Sequence, residues 1–161
     1  MPVITIHTAK PGQGATVTAA TLATLCANTG QRTLLIDAAT GDLPAALGLP
    51  TTNSPGLTRY LTDLHASTVD TLAVPVIENL DLLPLGDPDA MPATIDTGYV
   101  TGGCDRYDII IIDAGTRPVT GCDTAATMLL VTRPCYLALR RAIETPQLAA
   151  SHDTFASATA A

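Results

Sequence analysis

Seven residues near the start of the chain, Lys10-Pro11-Gly12-Gln13-Gly14-Ala15-Thr16, combine two glycines, a lysine and a threonine hydroxyl. That combination suits the holding of a phosphate. Glycines let successive backbone N–H groups turn inward on anionic oxygens. A helix that begins behind such a loop points its N-terminal N–H groups and its dipole at the same anion. A Ser or Thr hydroxyl at the end of the loop takes a magnesium ion, and Thr16 has that place. The lysine that normally precedes this hydroxyl and reaches the outer phosphates is missing, because position 15 is Ala. Two aspartates accompany the loop: Asp37 closes Thr33-Leu34-Leu35-Ile36-Asp37, and Asp113 closes Tyr107-Asp108-Ile109-Ile110-Ile111-Ile112-Asp113. Either one alone reads as a solvated strand end; beside the glycine loop they read as part of a phosphate and magnesium site.

The surrounding pattern supplies elements to hold these groups. Val3 to Ile6 is a short β-branched run that enters the loop, residues 16 to 28 are helical with Gly30 as a stop, and 33–37 is a second strand. Strand, loop, helix and strand within about 35 residues predict a βαβ unit with parallel pairing. Farther on, 44–47 suggests a short helix, and Leu57, Tyr60, Leu61 and Leu64 give a helical spacing. Residues 72–77 and 80–85 read as strands, and 86–106 as a long loop or a small helix. The run 107–113 is apolar enough for a central parallel strand. Residues 128–132 predict a further strand, followed by a helix from Pro134 to about Ala150 that Pro146 disturbs. The expected architecture is α/β: a doubly wound, mostly parallel sheet with helices on both faces, in one domain over residues 1–150, with a frayed tail over 151–161. In such sheets ligands sit at the carboxyl ends of the strands, where the glycine loop, Asp37 and Asp113 all fall.

Composition narrows the function classes. The 161 residues are 47% hydrophobic and 3% aromatic, with a formal net charge of -7. No basic face for nucleic acid is expected from such a balance. Seven of the eight basic residues are Arg, and the single Lys is Lys10. Cys26, Cys104, Cys122 and Cys135 form no C-x-x-C pair, which predicts reduced, mostly buried thiols and a cytoplasmic location. No signal peptide and no apolar run of membrane-spanning length are read from the sequence. His7, at the end of the first strand, is expected to be a packed or loop-facing histidine with no catalytic role. Arg117, in Gly115-Thr116-Arg117-Pro118, is expected on an exposed loop, with a phosphate contact as the minority alternative.

The loop resembles the deviant Walker A box of the ParA/MinD family of P-loop ATPases, with Lys10 at the signature lysine, Pro11 in place of a glycine and Ala15 in place of the second lysine. Thr33–Asp37, Gly41-Asp42-Leu43, Ala46-Leu47-Gly48-Leu49, Pro55-Gly56-Leu57, Glu78-Asn79-Leu80-Asp81-Leu82-Leu83-Pro84 and Tyr107–Asp113 follow in the family's order, so the likeness covers most of residues 2 to 142. The resemblance implies ATP or ADP with Mg2+, bound weakly, on Lys10, Gly12, Gln13, Gly14, Ala15 and Thr16. It implies Lys10 and Asp37 as catalytic residues, Lys10 reaching a partner's phosphates across a dimer and Asp37 orienting a water. It implies Thr16 and, through a water, Asp113 as the magnesium site. The expected function is a degenerate, pseudo-ATPase module for positioning or partition, working as a homodimer or higher homo-oligomer or through a protein partner. The alternatives are an active Mg-ATP hydrolase switch that uses Lys10, expected to be weak, and a structural subunit without nucleotide. Neither the basic amphipathic membrane helix nor the DNA-binding face of longer members is expected.

Non-specific binding to DNA comes almost entirely from neutralising phosphates, and only Arg140-Arg141 forms a basic pair in this acidic chain. The isolated protein is therefore expected not to be retained on random-sequence duplex DNA at physiological salt. Sub-micromolar, salt-sensitive retention in a filter-binding assay is the contrary outcome.

Overall fold

The computed structural model describes residues 1–50, 54–63, 68–121 and 126–144. It contains β1 (Val3–His7), α1 (Ala15–Asn28), β2 (Thr33–Asp37), α2 (Leu43–Ala46), α3 (Gly56–Thr62), α4 (Val69–Leu72), β3 (Val74–Ile77) and β4 (Leu80–Leu83). A 3-10 turn (Pro88–Ala90), β5 (Ile95–Asp96), α5 (Thr97–Thr101), β6 (Ile109–Gly115), β7 (Val119–Thr120), β8 (Ala126–Leu130) and α6 (Tyr136–Glu144) follow. Six strands form one sheet in the order β3-β4-β2-β6-β1-β8. All neighbours are parallel except β3, which pairs antiparallel with β4. β5 and β7 make a separate two-stranded parallel ribbon.

The central strand, β6, is buried along its whole length, which accounts for its unbroken isoleucine run. Alternate residues serve the two faces. Ile109 and Ile111 meet Ile6, Leu35, Leu82 and the alanine stripe Ala15, Ala19, Ala20, Ala23 and Ala27 of α1. Ile110 and Ile112 meet Leu34, Ile36, Leu57 of α3, Val69 and Leu72 of α4 and Val100 of α5. The sheet is thus covered on both faces, as a doubly wound fold requires. At its amino end, β2 is aligned with β6 by Arg32, whose guanidinium and backbone N–H both donate to Asp108. Tyr107, Arg106 and Asp81 form a second hydrogen-bonded group that ties β4 to the start of β6.

Several boundaries differ from the sequence expectation. Leu72 ends a helical turn, α4, instead of starting a strand, because the Thr68 and Thr71 side chains form a reciprocal capping box around that turn. The stretch 86–106 does hold a small helix, α5, together with the 3-10 turn and the short strand β5, which was not expected. The strand expected at 128–132 runs two residues earlier, over Ala126–Leu130. α6 begins at Tyr136 and is described to Glu144; the rest of the helix expected to reach Ala150, Leu64, Cys122 and the tail 151–161 lie outside the described residues. On α6, Ala138 and Ala142 are buried, while Tyr136, Leu137, Leu139 and Ile143 are exposed.

Because β6 carries both halves of the core, truncating it should be expensive. Ile111→Ala is expected to lower the unfolding free energy by about 2–5 kcal/mol, whereas Leu25→Ala, 58% exposed on α1, should change it by no more than about 0.5 kcal/mol. Urea denaturation of the two variants beside the parent measures both.

Candidate functional site

The register of the sheet brings the chemistry together. Asp37 at the end of β2 stands opposite Asp113 on β6, and Ile6 on β1 stands opposite Asp113 on its other side. The glycine loop therefore leaves β1 at the same level as both carboxylates. Gly12 and Gly14 adopt φ of +76° and +97°, backbone conformations that side-chain-bearing residues rarely accept. Gly14 is the N-cap of α1, which has no side-chain cap and no acidic residue in its first turn. The first N–H groups of α1 thus remain for an anion. A cleft of about 490 Å³ opens there, walled by residues 11 to 17, by Ala39, Thr40 and Asp42 after β2, by Gly115 at the end of β6 and by Thr116.

Asp113 is wholly buried. Its Oδ1 accepts the Gly115 N–H at 3.2 Å, while Oδ2 has no hydrogen-bond partner among the described residues. Burial pushes its pKa up to about 6; the Thr16 hydroxyl opposes that rise, the Asp37 charge adds to it, and the Gly115 N–H opposes it. Thr16 is thus near enough to favour the ionised form without giving Oδ2 a well-aligned bond. An orphaned carboxylate oxygen beside a threonine hydroxyl at a helix N-terminus is a donor set of hard oxygens that suits Mg2+ with its retained waters.

Asp37 is placed differently. It is also wholly buried, but its carboxylate is fully engaged. Oδ1 accepts the Ala39 and Gly41 N–H groups at 3.1 and 3.2 Å, and Oδ2 accepts that of Leu43 at 3.1 Å. Desolvation raises its pKa against these three bonds. Asp37 therefore holds the turn 38–43 in shape, and the residues this turn presents to the cleft are Ala39, Thr40 and Asp42. The sequence reading did not single out Ala39 or Thr40. The Gly41-Asp42 pair that follows a strand was the available signal.

Gln13 also turns out to have a structural task. Its Oε1 accepts the Arg133 N–H at 2.9 Å, and its Nε2 donates to the Pro11 carbonyl at 3.4 Å, so only its backbone is offered to the cleft. Ala15 is buried against the sheet at the first turn of α1. Lys10 is half-buried beside the cleft and makes no ion pair among the described residues. Arg117 is neither an exposed loop residue nor free of contacts. Its Nε donates to the Ala38 carbonyl at 2.9 Å and its Nη1 to the Pro92 carbonyl at 2.7 Å. His7 is buried as expected; burial lowers its pKa, and its Nε2 lacks a partner among the described residues. Cys26, Cys104 and Cys135 are free thiols. No cluster of metal-ligating His, Cys, Asp and Glu residues occurs among the described residues, and no helix among them is long and apolar enough to cross a membrane.

Residues 1–100 match the family described as Cellulose biosynthesis protein BcsQ. No curated protein sequence gives a significant match. Among solved structures, the chain is similar to the MinD cell division protein of Aquifex aeolicus, at 26% identity and a TM-score of 0.70, over 95% of this chain and 65% of that one. It is similar in fold to the septum site-determining protein MinD of Pyrococcus horikoshii complexed with Mg-ADP, at 20% identity and a TM-score of 0.73, over 94% of this chain and 65% of that one. It is likewise similar to a Cyanothece McdA variant in complex with ATP, at 21% identity and a TM-score of 0.71, over 96% of this chain and 65% of that one. The chain spans a little under two-thirds of the length of each. The fold is the MinD/ParA-type P-loop NTPase fold.

A buried carboxyl whose pKa is raised on folding stabilises the protein fully below its unfolded pKa, and that contribution is lost as pH rises through the folded value. For Asp113 the window runs from about pH 4 to about pH 6, and the loss is about 3 kcal/mol when neither magnesium nor nucleotide is present. Asp113→Asn is expected to raise the melting temperature at pH 8 in the absence of magnesium and to flatten this part of the profile. Thermal melts from pH 4 to pH 8 check it; an unchanged profile in the variant contradicts the assignment.

Proposed function

The chain belongs to the BcsQ family of cellulose biosynthesis proteins, and from that premise we propose that it is a nucleotide-binding positioning module that holds ATP or ADP with Mg2+ weakly and hydrolyses ATP poorly or not at all. The observation that carries this reading is one juxtaposition. The uncapped N-terminus of α1 and Thr16 line a cleft, the buried Asp113 with its orphaned Oδ2 lies within reach of the Thr16 hydroxyl, and the residue where an ammonium would meet the outer phosphates is Ala15. Gly12, Gln13, Gly14, Ala15 and Thr16 hold phosphate through their backbone. Thr16, with Asp113 acting through a water, holds the ion, which when bound offsets phosphate charge. Asp37 acts as a positioning residue through the turn 38–43. Residues 1–150 form the domain proposed for this task, and the module works through self-association or through a protein of the cellulose-synthesis process.

A second reading, an active hydrolase, is favoured by Lys10, whose ammonium has no carboxylate partner among the described residues. Turnover that requires both Mg2+ and Lys10 separates the two readings.

Position 15 provides the sharpest test. A charge-assisted contact to phosphate is worth roughly 10- to 150-fold in affinity, and Lys is a favourable helix former at the first turn of α1. Ala15→Lys is expected to raise ATP affinity by about that factor and ADP affinity by less. Calorimetric titration with each Mg-nucleotide measures it. Unchanged affinity for both nucleotides refutes the phosphate-loop reading and leaves a purely structural subunit.

A further inference from the structure

Beside the glycine-loop cleft lies a second cavity of about 260 Å³. Ala39, Thr40 and Thr116 belong to the walls of both, so the two spaces adjoin. Ala93, Ala114, Arg117 and Pro118 line the second cavity and not the first. No carboxylate lines this cavity, and Arg117 makes no ion pair among the described residues. An arginine keeps its charge at any ordinary pH and carries five N–H donors. Two groups of this guanidinium, Nε and Nη1, are tethered to the Ala38 and Pro92 carbonyls. The tethers fix the plane of the fork and leave the Nη2 edge without a partner among the described residues. A half-buried, pre-oriented cation that opens on a cavity lacks only its anion, and a guanidinium fork matches the oxygens of a phosphate in a way that a point charge does not.

We propose that this cavity is a phosphate subsite, filled by the terminal phosphate of a nucleotide whose inner phosphates lie in the adjoining cleft. Arg117 then supplies, from the β6 side, the positive charge that Ala15 does not supply from the loop. The Thr116 hydroxyl on the shared wall adds a donor. The same contact reports the length of the phosphate chain, because a diphosphate ends before the subsite. The turn 38–43 also senses occupancy, since Arg117 is bonded to its first carbonyl. This inference rests on the nucleotide reading above.

The test compares ATP, ADP and inorganic phosphate on the parent protein, on Arg117→Met and on Ala93→Glu. The glutamate variant leaves both Arg117 tethers in place and fills the cavity with a competing carboxylate, so it remains informative if Arg117→Met fails to fold. The parent is expected to favour Mg-ATP over Mg-ADP by calorimetry. Each folded variant is expected to lose ATP affinity by about tenfold or more while ADP affinity stays within about twofold. Equal losses for both nucleotides, or no loss of ATP affinity in folded Ala93→Glu, overturn the subsite and leave the nucleotide reading standing. If the parent binds neither nucleotide but inorganic phosphate raises its melting temperature and not that of Ala93→Glu, the subsite stands with free phosphate as its source, and the nucleotide reading falls. Absence of any effect of the three ligands on the parent overturns both.

Discussion

An ionised carboxylate at the end of a fully buried central strand must be met by something, and the arrangement around Asp113 follows from that requirement. Its backbone neighbour Gly115 satisfies one oxygen. The other has no partner among the described residues, although the Thr16 hydroxyl is near enough to favour the ionised form, and α1 carries no acidic residue in its own first turn. Separated from it by three strands in the chain but adjacent in the sheet, Asp37 on β2 faces the same problem and solves it internally with three N–H groups of its own turn. The two aspartates share a register and differ in fate: one shapes the cleft wall, and the other stays buried with one oxygen unpaired among the described residues. The alanine stripe of α1 contributes by letting the helix lie close on the sheet, which brings its N-terminus to the level of both.

Much of this was legible in the sequence where a local pattern dictates a local outcome. The apolar runs at 3–6, 33–37 and 109–112 could hardly be anything but strands of a parallel sheet, and two glycines before an alanine-rich segment fix both the loop and the helix behind it. The pattern weakened where the answer depends on distant residues. Arg117 meets carbonyls 79 and 25 residues away, and no neighbour in the chain signals either. The β5–β7 ribbon pairs residues 24 positions apart in two-residue segments, too short for any periodicity to register. Asp37 shows another limit: a strand-end aspartate has the same sequence context whether or not it accepts the N–H groups of its own turn, so its three bonds to Ala39, Gly41 and Leu43 are visible only in the structure.

Acidity and a phosphate site coexist here because the two are spatially separate. The net charge of -7 belongs to the whole chain, but the loop, the first turn of α1 and the cavity beside Arg117 are lined by glycines, small residues and backbone N–H groups, with Asp42 the one carboxylate on the cleft wall. Attraction for an anion is therefore short-ranged and built from dipoles and a single tethered guanidinium. Such a field acts on a ligand already in place and steers little from a distance.

The two ends of the sheet are chemically unlike, and this gives the molecule a direction of growth. On the β3 side the outermost strand runs against its neighbour, carries Pro75 at an exposed position and ends beside Glu78. A missing amide hydrogen and a nearby charge make poor terms for another strand. On the β8 side the outermost described strand is parallel, free of proline and of charge, and bears Thr127 and Leu129 exposed between half-buried neighbours. Lateral extension of this sheet, by whatever polypeptide provides it, is open on one flank and discouraged on the other.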